Sequence, residues 1–377
     1  MEELTAHFAA WRILHAGNRE ITDAVVAPEH RGPSAGLEAA LGEWPGAFYW
    51  ASQDRSSLIL IRPVGPARRE RWVFHLCLFV ITALCSLGAG AALAGQFRPA
   101  EEPGLQGALL AALRFMMDPV HGSWASALSG WTFTAPLLAI LLIHELGHYF
   151  AARRYLIDAS PPYFMPIPPS LSPIGSLGAF IRLRSPVLDR LQLLDVGAAG
   201  PLAGFVVALG VLVWGYASSS AVPAGWQPHA SFVEFAGNPI FLGESFLTQA
   251  LRDHFLPGAE AVRLSLPAFA GWVGMFITGL NLLPLSQLDG GHVLYGLIGK
   301  KQIAVSALAV VGLIYLAQTW WGWYLWAGLT LIVGKGRWSH PSVLTPGRSI
   351  PSGHRVVGWL CVLIFVLTFV PIPFLQQ

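Results

Sequence analysis

The chain has 377 residues, of which 54% are hydrophobic and 12% are charged, whereas soluble domains carry about 25% charged residues. This composition excludes an ordinary soluble domain and predicts an integral membrane protein in contact with the lipid bilayer. The net charge of +2 is too small to indicate nucleic-acid binding, and the three cysteines lie in apolar runs, which argues against a disulfide framework or a thiolate zinc site.

The N-terminal residues 1–66 mix polar and apolar side chains, and the stretches AFYW at 47–50 and SLILIRPV at 57–64 are typical of strands. We expect a small α+β domain on the cytoplasmic side. The chain start lacks a basic segment followed by an apolar one, so we expect no cleaved signal peptide. Residues 67–130 are expected to hold the first transmembrane helix and an outer loop, in which residues 104–118 have the spacing of an interfacial helix.

Apolar runs of about 20 residues, the length that a membrane-spanning helix needs, occur at Trp72–Ala94, Trp131–Ala152, Leu193–Ala217, Leu264–Leu288 and Val356–Phe374. The uncharged stretch 302–333 has the aromatic cluster TWWGWY at its middle, which predicts two short spans. The expected fold class is therefore an all-α polytopic membrane protein with seven transmembrane helices, or six if 302–333 crosses once. We expect a membrane core in 131–300 and C-terminal transmembrane helices in 301–377.

The distribution of basic residues supports seven spans with the N-terminus in the cytoplasm. In that arrangement every Lys and Arg falls on the cytoplasmic side except Arg98, Arg114, Arg252 and Arg263. A single span in 302–333 would move the basic segment that follows it to the outside, against the positive-inside bias.

The apolar run that begins at Trp131 contains the sequence HELGH, with His144 and His148 four residues apart. On a helix both imidazoles lie on one face and can bind the same metal ion. Glu145 lies beside them, where its carboxylate can take a proton from a water molecule. Ionisable groups in a membrane helix are costly and usually functional. This pattern predicts a buried zinc site; the alternative is a hydrogen-bonded structural cluster at a helix contact.

A catalytic zinc site needs a third protein ligand. The sequence GLNLLPLSQLDGGH, residues 279–292, places Asn281 and Asp289 at the end of an otherwise uncharged span. Asp289 is the best candidate for the third ligand. Asp195, which lies at the start of another span, and His292, which follows the Gly-Gly pair, are alternatives.

The HELGH sequence in one span and NLLPLSQLDG in a later span together resemble the site-2 protease family of intramembrane zinc metalloproteases, whose pattern is H-E-x-x-H with N-x-x-P-x-x-x-L-D-G. The resemblance covers about residues 131–299. It implies one zinc ion per chain held by His144, His148 and Asp289, with Glu145 as the general base. It also implies that Asn281 hydrogen-bonds the scissile carbonyl as its oxygen gains charge.

Between the second and third spans, the proline-rich segment 161–186 contains GAFIRLR, whose alternation predicts a strand at Gly178–Arg184. We interpret it as part of a re-entrant β-hairpin or loop, and the resemblance raises the expectation that it binds an extended substrate by β-augmentation. The expected substrate-binding residues are Gly178, Ala179, Phe180, Ile181 and Arg182. A cytoplasmic connector is the alternative. Gly200 and Gly204, in a G-x-x-x-G spacing, predict close helix packing.

These patterns predict an intramembrane zinc endopeptidase that hydrolyses transmembrane segments of other membrane proteins with metal-activated water. The alternative is a non-proteolytic zinc-binding chaperone, adaptor or transporter of the same fold; Glu145 argues against it, because a binding site needs no general base. The outer loop 218–263 is too short for a PDZ domain and no CBS module is expected. We expect a multi-pass protein of a prokaryotic plasma membrane, with the active site toward the cytoplasm. The sequence does not indicate an oligomeric state.

Overall fold

The computed structural model describes residues 2–16, 19–52, 54–64, 70–96, 128–185, 187–223, 230–285, 287–333, 343 and 349–375. The chain divides into two compact units. The first consists of Met1–Arg71, Phe150–Ser160 and Arg182–Val187, and the second of Trp72–Tyr149, Pro161–Ile181 and Leu188–Gln377. The expected interfacial helix at 104–118 lies outside the described residues.

The first unit is built on a four-stranded antiparallel sheet with the strand order β1-β2-β4-β3. Its elements are α1 (Glu2–Thr5), β1 (Phe8–Ala16), β2 (Arg19–Val26), α2 (Ala35–Gly42), β3 (Ala47–Trp50) and β4 (Ser57–Pro63), with a 3₁₀ turn at Pro28–His30. Leu37 and Leu41 of α2 pack with Leu58 and Leu60 of β4 in one apolar core. The two strands predicted in this region are therefore confirmed as β3 and β4.

The second unit is mostly helical. Its helices are α3 (Trp72–Leu93), α4 (Trp131–Arg154, which continues into the first unit), α5 (Arg190–Ala217), α6 (Phe246–Phe255), α7 (Leu266–Asn281), α8 (Asp289–Ile298), α9 (Gln302–Leu316), α10 (Gly322–Val333) and α11 (Ser352–Thr368). A 3₁₀ turn at Gly299–Lys301 joins α8 to α9.

Among the described residues, four helical segments are long and apolar enough to cross a membrane: α3, α4, α5 and the stretch Asp289–Leu316, which combines α8 and α9. Two shorter apolar helices, Leu266–Asn281 and Ser352–Thr368, fall below the length of the other four. This supports a membrane protein, but it does not reach the expected six or seven spans.

The expected span Leu264–Leu288 is interrupted by a break after Asn281. Helix α7 begins after the N-cap Ser265, whose side chain accepts a hydrogen bond from the Ala268 amide, and ends at Asn281. Pro284 follows three residues later, and proline cannot donate the backbone hydrogen bond that a continuing helix needs. The chain therefore turns, and a new helix begins at Asp289.

The described part of the second unit contains two β-structures. The first is a hairpin of β5 (Tyr163–Pro166) and β6 (Ser176–Phe180). The predicted strand at Gly178–Arg184 thus begins two residues earlier and ends at Phe180. The second is a four-stranded sheet, ordered β7-β10-β8-β9, of β7 (Ser220–Ala221), β8 (Ser231–Phe235), β9 (Asn238–Leu242) and β10 (Val262–Arg263). Sequence analysis did not predict this sheet, so the all-α description is incomplete.

Candidate metal centre

Helix α4 brings His144 and His148 together inside the second unit. One helical turn separates them, and both side chains are buried, with residue exposures of 4% and 5%. Their Nε2 atoms lie 3.2 Å apart. The imidazoles thus present their outer nitrogens to one point, as the spacing of the two histidines predicts.

Asp289 reaches the same point from the first residue of α8. Its Oδ2 lies 3.4 Å from the Nε2 of His144 and 3.2 Å from the Nε2 of His148. The three potential ligand atoms all lie within 4.8 Å of one another. The break after Asn281 allows this placement, because it lets the chain start a new helix with a carboxylate beside α4.

The donor set fits a zinc ion. Two imidazole nitrogens and a carboxylate oxygen are ligands that catalytic zinc takes, and they leave a fourth position open. The Nδ1 of His148 donates a hydrogen bond to the Val196 carbonyl at 2.7 Å. Because the proton is on Nδ1 in this arrangement, the Nε2 lone pair faces Asp289 and His144, where a metal would bind. Both imidazoles are buried and Asp289 is partly buried, and three electron-rich atoms that meet in such a place favour a positive charge among them.

Helix α5 packs directly against the two imidazoles. A methyl group at Gly200 would lie 2.1 Å from the Nε2 of His148, and one at Gly204 would lie 3.0 Å from the Cβ of His144. The G-x-x-x-G spacing therefore does correspond to close packing, as predicted. The spacing alone does not reveal which helix packs against the glycines.

Glu145 and Asn281 lie at the edge of the metal centre. Glu145 is buried, with 5% exposure, and follows His144 directly in α4. The Nδ2 of Asn281, the last residue of α7, lies 3.2 Å from the Nε2 of His144. An acid-base group and an amide donor thus lie close to the imidazole that faces the potential metal position.

A cavity of about 330 Å³ opens beside these residues. His144, Glu145 and Asn281 line one part of it, and the rest is mostly apolar, with Ile140, Trp272, Val273, Phe276, Ile277 and Phe374 among its lining residues. Gly178 and Ala179 of β6 also line it. A cavity of this size and polarity can hold the side chains of an apolar peptide next to Glu145 and Asn281.

The remaining predicted substrate residues lie at the end of β6. Phe180 is its last residue and is exposed, Ile181 follows it, and Arg182 belongs to the first unit. The alternative third ligands lie elsewhere. Asp195 accepts a hydrogen bond from the Nδ1 of His354 at 2.7 Å. Within the described part of the chain, neither Asp195 nor His292 belongs to the group of three potential metal ligands.

The sequence of this chain is similar to those of known metalloproteases. Residues 132–318 match the model of Peptidase family M50. The chain is 30% identical over 270 residues to "Probable zinc metalloprotease EGY2, chloroplastic" of Oryza sativa subsp. indica, covering 70% of this chain and 44% of the relative. It is 27% identical over 316 residues to "Probable zinc metalloprotease EGY1, chloroplastic" of Arabidopsis thaliana, covering 82% of this chain and 54% of the relative. No solved structure matches.

This chain spans about half the length of the curated relatives it matches. Those relatives are named as chloroplast proteins of plants, so they do not support the expected prokaryotic plasma membrane. The matched region contains the HELGH motif on α4 and the Asn281 to Asp289 segment, which the fold brings together at the candidate metal centre. The chain belongs to Peptidase family M50, the site-2 protease family.

Proposed function

We propose that this protein is an intramembrane zinc endopeptidase that hydrolyses peptide bonds in or near transmembrane segments of other membrane proteins. One observation carries the proposal: two buried imidazoles and a partly buried carboxylate, with Glu145 beside them, border an apolar cavity within a largely apolar helical unit. Ionisable groups in such surroundings are kept for a function.

His144, His148 and Asp289 would hold the zinc ion. When bound, zinc makes a water molecule nucleophilic at neutral pH and polarises the scissile carbonyl. The Glu145 carboxylate accepts a proton from the attacking water and then delivers it to the nitrogen of the leaving amine. The Asn281 amide donates a hydrogen bond to the carbonyl oxygen as that oxygen gains negative charge.

The substrate has to be extended where it is cut, because a helical backbone shields its own peptide bonds. Strand β6 pairs with β5 on one edge, and we propose that its other edge pairs with an unwound substrate segment. Gly178 and Ala179 support this, since both line the cavity that contains Glu145. Phe180, Ile181 and Arg182 extend the proposed binding strand. The hairpin would be re-entrant, because irregular backbone within a bilayer needs protein or water around it.

We also propose six to seven membrane crossings, with the shorter helices α7 and α11 completing the bundle. The N-terminal domain (1–66) and the active-site end of α4 would face the cytoplasm. Residues 67–130 would form the first helix and an outer loop, residues 131–300 the catalytic core, and residues 301–377 the C-terminal helices. Arg153 and Arg154 in the last turn of α4 support this orientation. Cysteine labelling in sealed vesicles that placed Arg153 outside would overturn it.

The Glu145→Gln variant tests the protease against the non-proteolytic alternative. Glutamine has the shape of glutamate but cannot take the proton, so cleavage of a single-span membrane reporter should fall by about 100- to 10,000-fold. Zinc content should stay near one per chain, since Glu145 is outside the ligand group. A chaperone, adaptor or transporter would be insensitive to this change, and purified Glu145→Gln protein that still cleaves would eliminate the proposed mechanism.

A further inference from the structure

The two ends of the β5–β6 hairpin are held together inside the first unit. The chain leaves that unit after Ser160 and returns at Arg182. The Ser160 amide donates to the Arg182 carbonyl at 3.0 Å, and the Arg182 amide donates to the Ser160 hydroxyl at 2.9 Å. We call residues 158–160 and 182–185 the neck.

Further hydrogen bonds extend the neck. The Arg184 amide donates to the Asp158 carbonyl at 2.7 Å, and the Asp158 amide donates to the Ser185 hydroxyl at 3.2 Å. Ala159 and Leu183 form an antiparallel bridge between them. The neck is thus a short antiparallel ladder that fixes where each strand of the hairpin starts.

One ion pair anchors the neck to the segment before the first long apolar helix. The Arg184 guanidinium donates two hydrogen bonds to the Glu70 carboxylate, the second of them at 3.0 Å. The side chains of Arg184 and Glu70 are only 14% and 23% exposed. Bidentate, partly buried pairs of this kind are stronger and more specific in geometry than surface pairs. Glu70 lies two residues before α3.

The ladder of the hairpin is short and irregular. Its ladder pairs Tyr163 with Phe180, shifts register after Phe164, and ends at Pro166. Two prolines lie between Ser160 of the neck and Tyr163 of β5. On the other side, only Ile181 lies between the last residue of β6 and the neck. Prolines lack an amide hydrogen, so the ladder cannot run unbroken from the neck into the hairpin. Phe164 and Ser176 are buried on one face of the hairpin, and a slip of one residue would turn them to the opposite face. The points where the two strands start at the neck therefore have to match this packing.

We propose that the Glu70–Arg184 pair is a positioning element that keeps the hairpin in register by anchoring its neck. The effect of this pair on cleavage rests on the proposed function of β6 as the substrate-pairing strand. The effect of the pair on the register of the hairpin does not depend on that function. The N-terminal segment thereby gains a role in the catalytic machinery: a change at Glu70 alters which β6 groups face the cavity without touching any metal ligand.

The direct test is hydrogen exchange of the purified full chain in lipid nanodiscs, followed by mass spectrometry. Glu70→Gln and Arg184→Gln should each speed exchange in 163–180 by about tenfold, the effect of losing one charge-assisted interaction. Arg184 also lies 3.7 Å from the Asp158 carboxylate, so the double variant should exchange no faster than Arg184→Gln alone, because the Glu70 contact is already lost in that variant. Asp23→Asn is the matched control, because Asp23 accepts two hydrogen bonds from Arg12 in the same unit, at 3.2 and 3.0 Å.

Unchanged exchange in 163–180 in both single variants would overturn the inference. Faster exchange confined to the N-terminal sheet would also overturn it, because it would show a merely structural role. Zinc content should equal that of the unsubstituted chain in every variant.

A second measurement separates this inference from the proposed function. A photoreactive amino acid at Leu177, which is 65% exposed on β6, is cross-linked to a single-span reporter with a leucine-rich segment and a central Asn-Pro break. The experiment uses the Glu145→Gln background, so that the reporter is not cut. With the intact Glu70–Arg184 pair, we expect a cross-link to one main position of the reporter. In Glu70→Gln, we expect cross-links spread over neighbouring positions of the reporter. Faster hairpin exchange without any cross-link would support the anchoring role and refute substrate pairing by β6.

Discussion

Replacing Gly200 with alanine should disable the metal centre without removing a ligand. The added methyl group would lie 2.1 Å from the Nε2 of His148 and 2.3 Å from its Cδ2, whereas carbon atoms in contact prefer about 3.5–4.0 Å. The imidazole has little freedom to move away, because it is buried and its Nδ1 is held by the Val196 carbonyl at 2.7 Å. The ring must therefore leave its position or α5 must move outward.

The expected loss is larger for zinc binding than for stability. Overpacking a buried site costs about 1–3 kcal/mol, and exchanging glycine for alanine in a helix returns about 1 kcal/mol. The net destabilisation is therefore about 0–2 kcal/mol. Disturbing the groups that orient a metal ligand lowers metal affinity by about 10- to 100-fold, which is about 1.4–2.8 kcal/mol. Cleavage should fall with zinc occupancy.

The assay is competition for zinc with a chelator of known affinity, combined with thermal unfolding and reporter cleavage on the same preparation. Gly210→Ala is the matched control, since Gly210 lies in the same helix and a methyl group there would have no atom within 4 Å. That variant should keep zinc and activity and be slightly more stable. If Gly200→Ala binds zinc within twofold of the unsubstituted chain, the close approach of α5 to His148 does not matter for the centre.

Three further changes probe the site. Asp289→Asn keeps the size of the side chain but removes its charge, so zinc affinity measured by competition should fall at least about tenfold; unchanged affinity would refute Asp289 as a ligand. Asn281→Ala should reduce kcat by about 100- to 1,000-fold while zinc content stays constant, since it removes only an oxyanion donor; a loss confined to KM would contradict that role. Ile277→Trp narrows the cavity, so reporters with phenylalanine beside the scissile bond should be cut more slowly and alanine reporters at the usual rate; equal slowing of both would show that the cavity does not select side chains.

The metal centre was predictable from the sequence because its ligands depend on local geometry. A spacing of four residues on a helix fixes the relative placement of His144 and His148 whatever surrounds them. Asp289 required an additional argument, the scarcity of carboxylates in apolar runs. The structure brings all three together, and the arrangement of Glu145 and Asn281 around them follows from the same two segments.

The number of spans and the sheet of β7 to β10 depend on information that composition does not contain. Hydropathy cannot distinguish one long run from a helix that ends at Asn281 and is followed by a new helix at Asp289, so of the expected span Leu264–Leu288 only α7 is a helix. Strands β8 and β9 turn through Ala236 and Gly237, both with positive φ values of 53° and 88°. An alanine in that conformation is unusual, so the turn has no strong sequence signal.

The close return of the chain after α7 explains why a glycine follows Asp289. A methyl group at Gly290 would lie 2.0 Å from the carbonyl oxygen of Leu282 and 2.6 Å from that of Leu283. The start of α8 thus returns directly against the backbone that follows α7, and only a residue without a side chain fits there. This contact holds the first residue of α8 close to Asn281, the last residue of α7. One compact turn thereby delivers both a potential zinc ligand and a potential oxyanion donor to His144, which explains why the two polar residues are separated by a proline and followed by glycine.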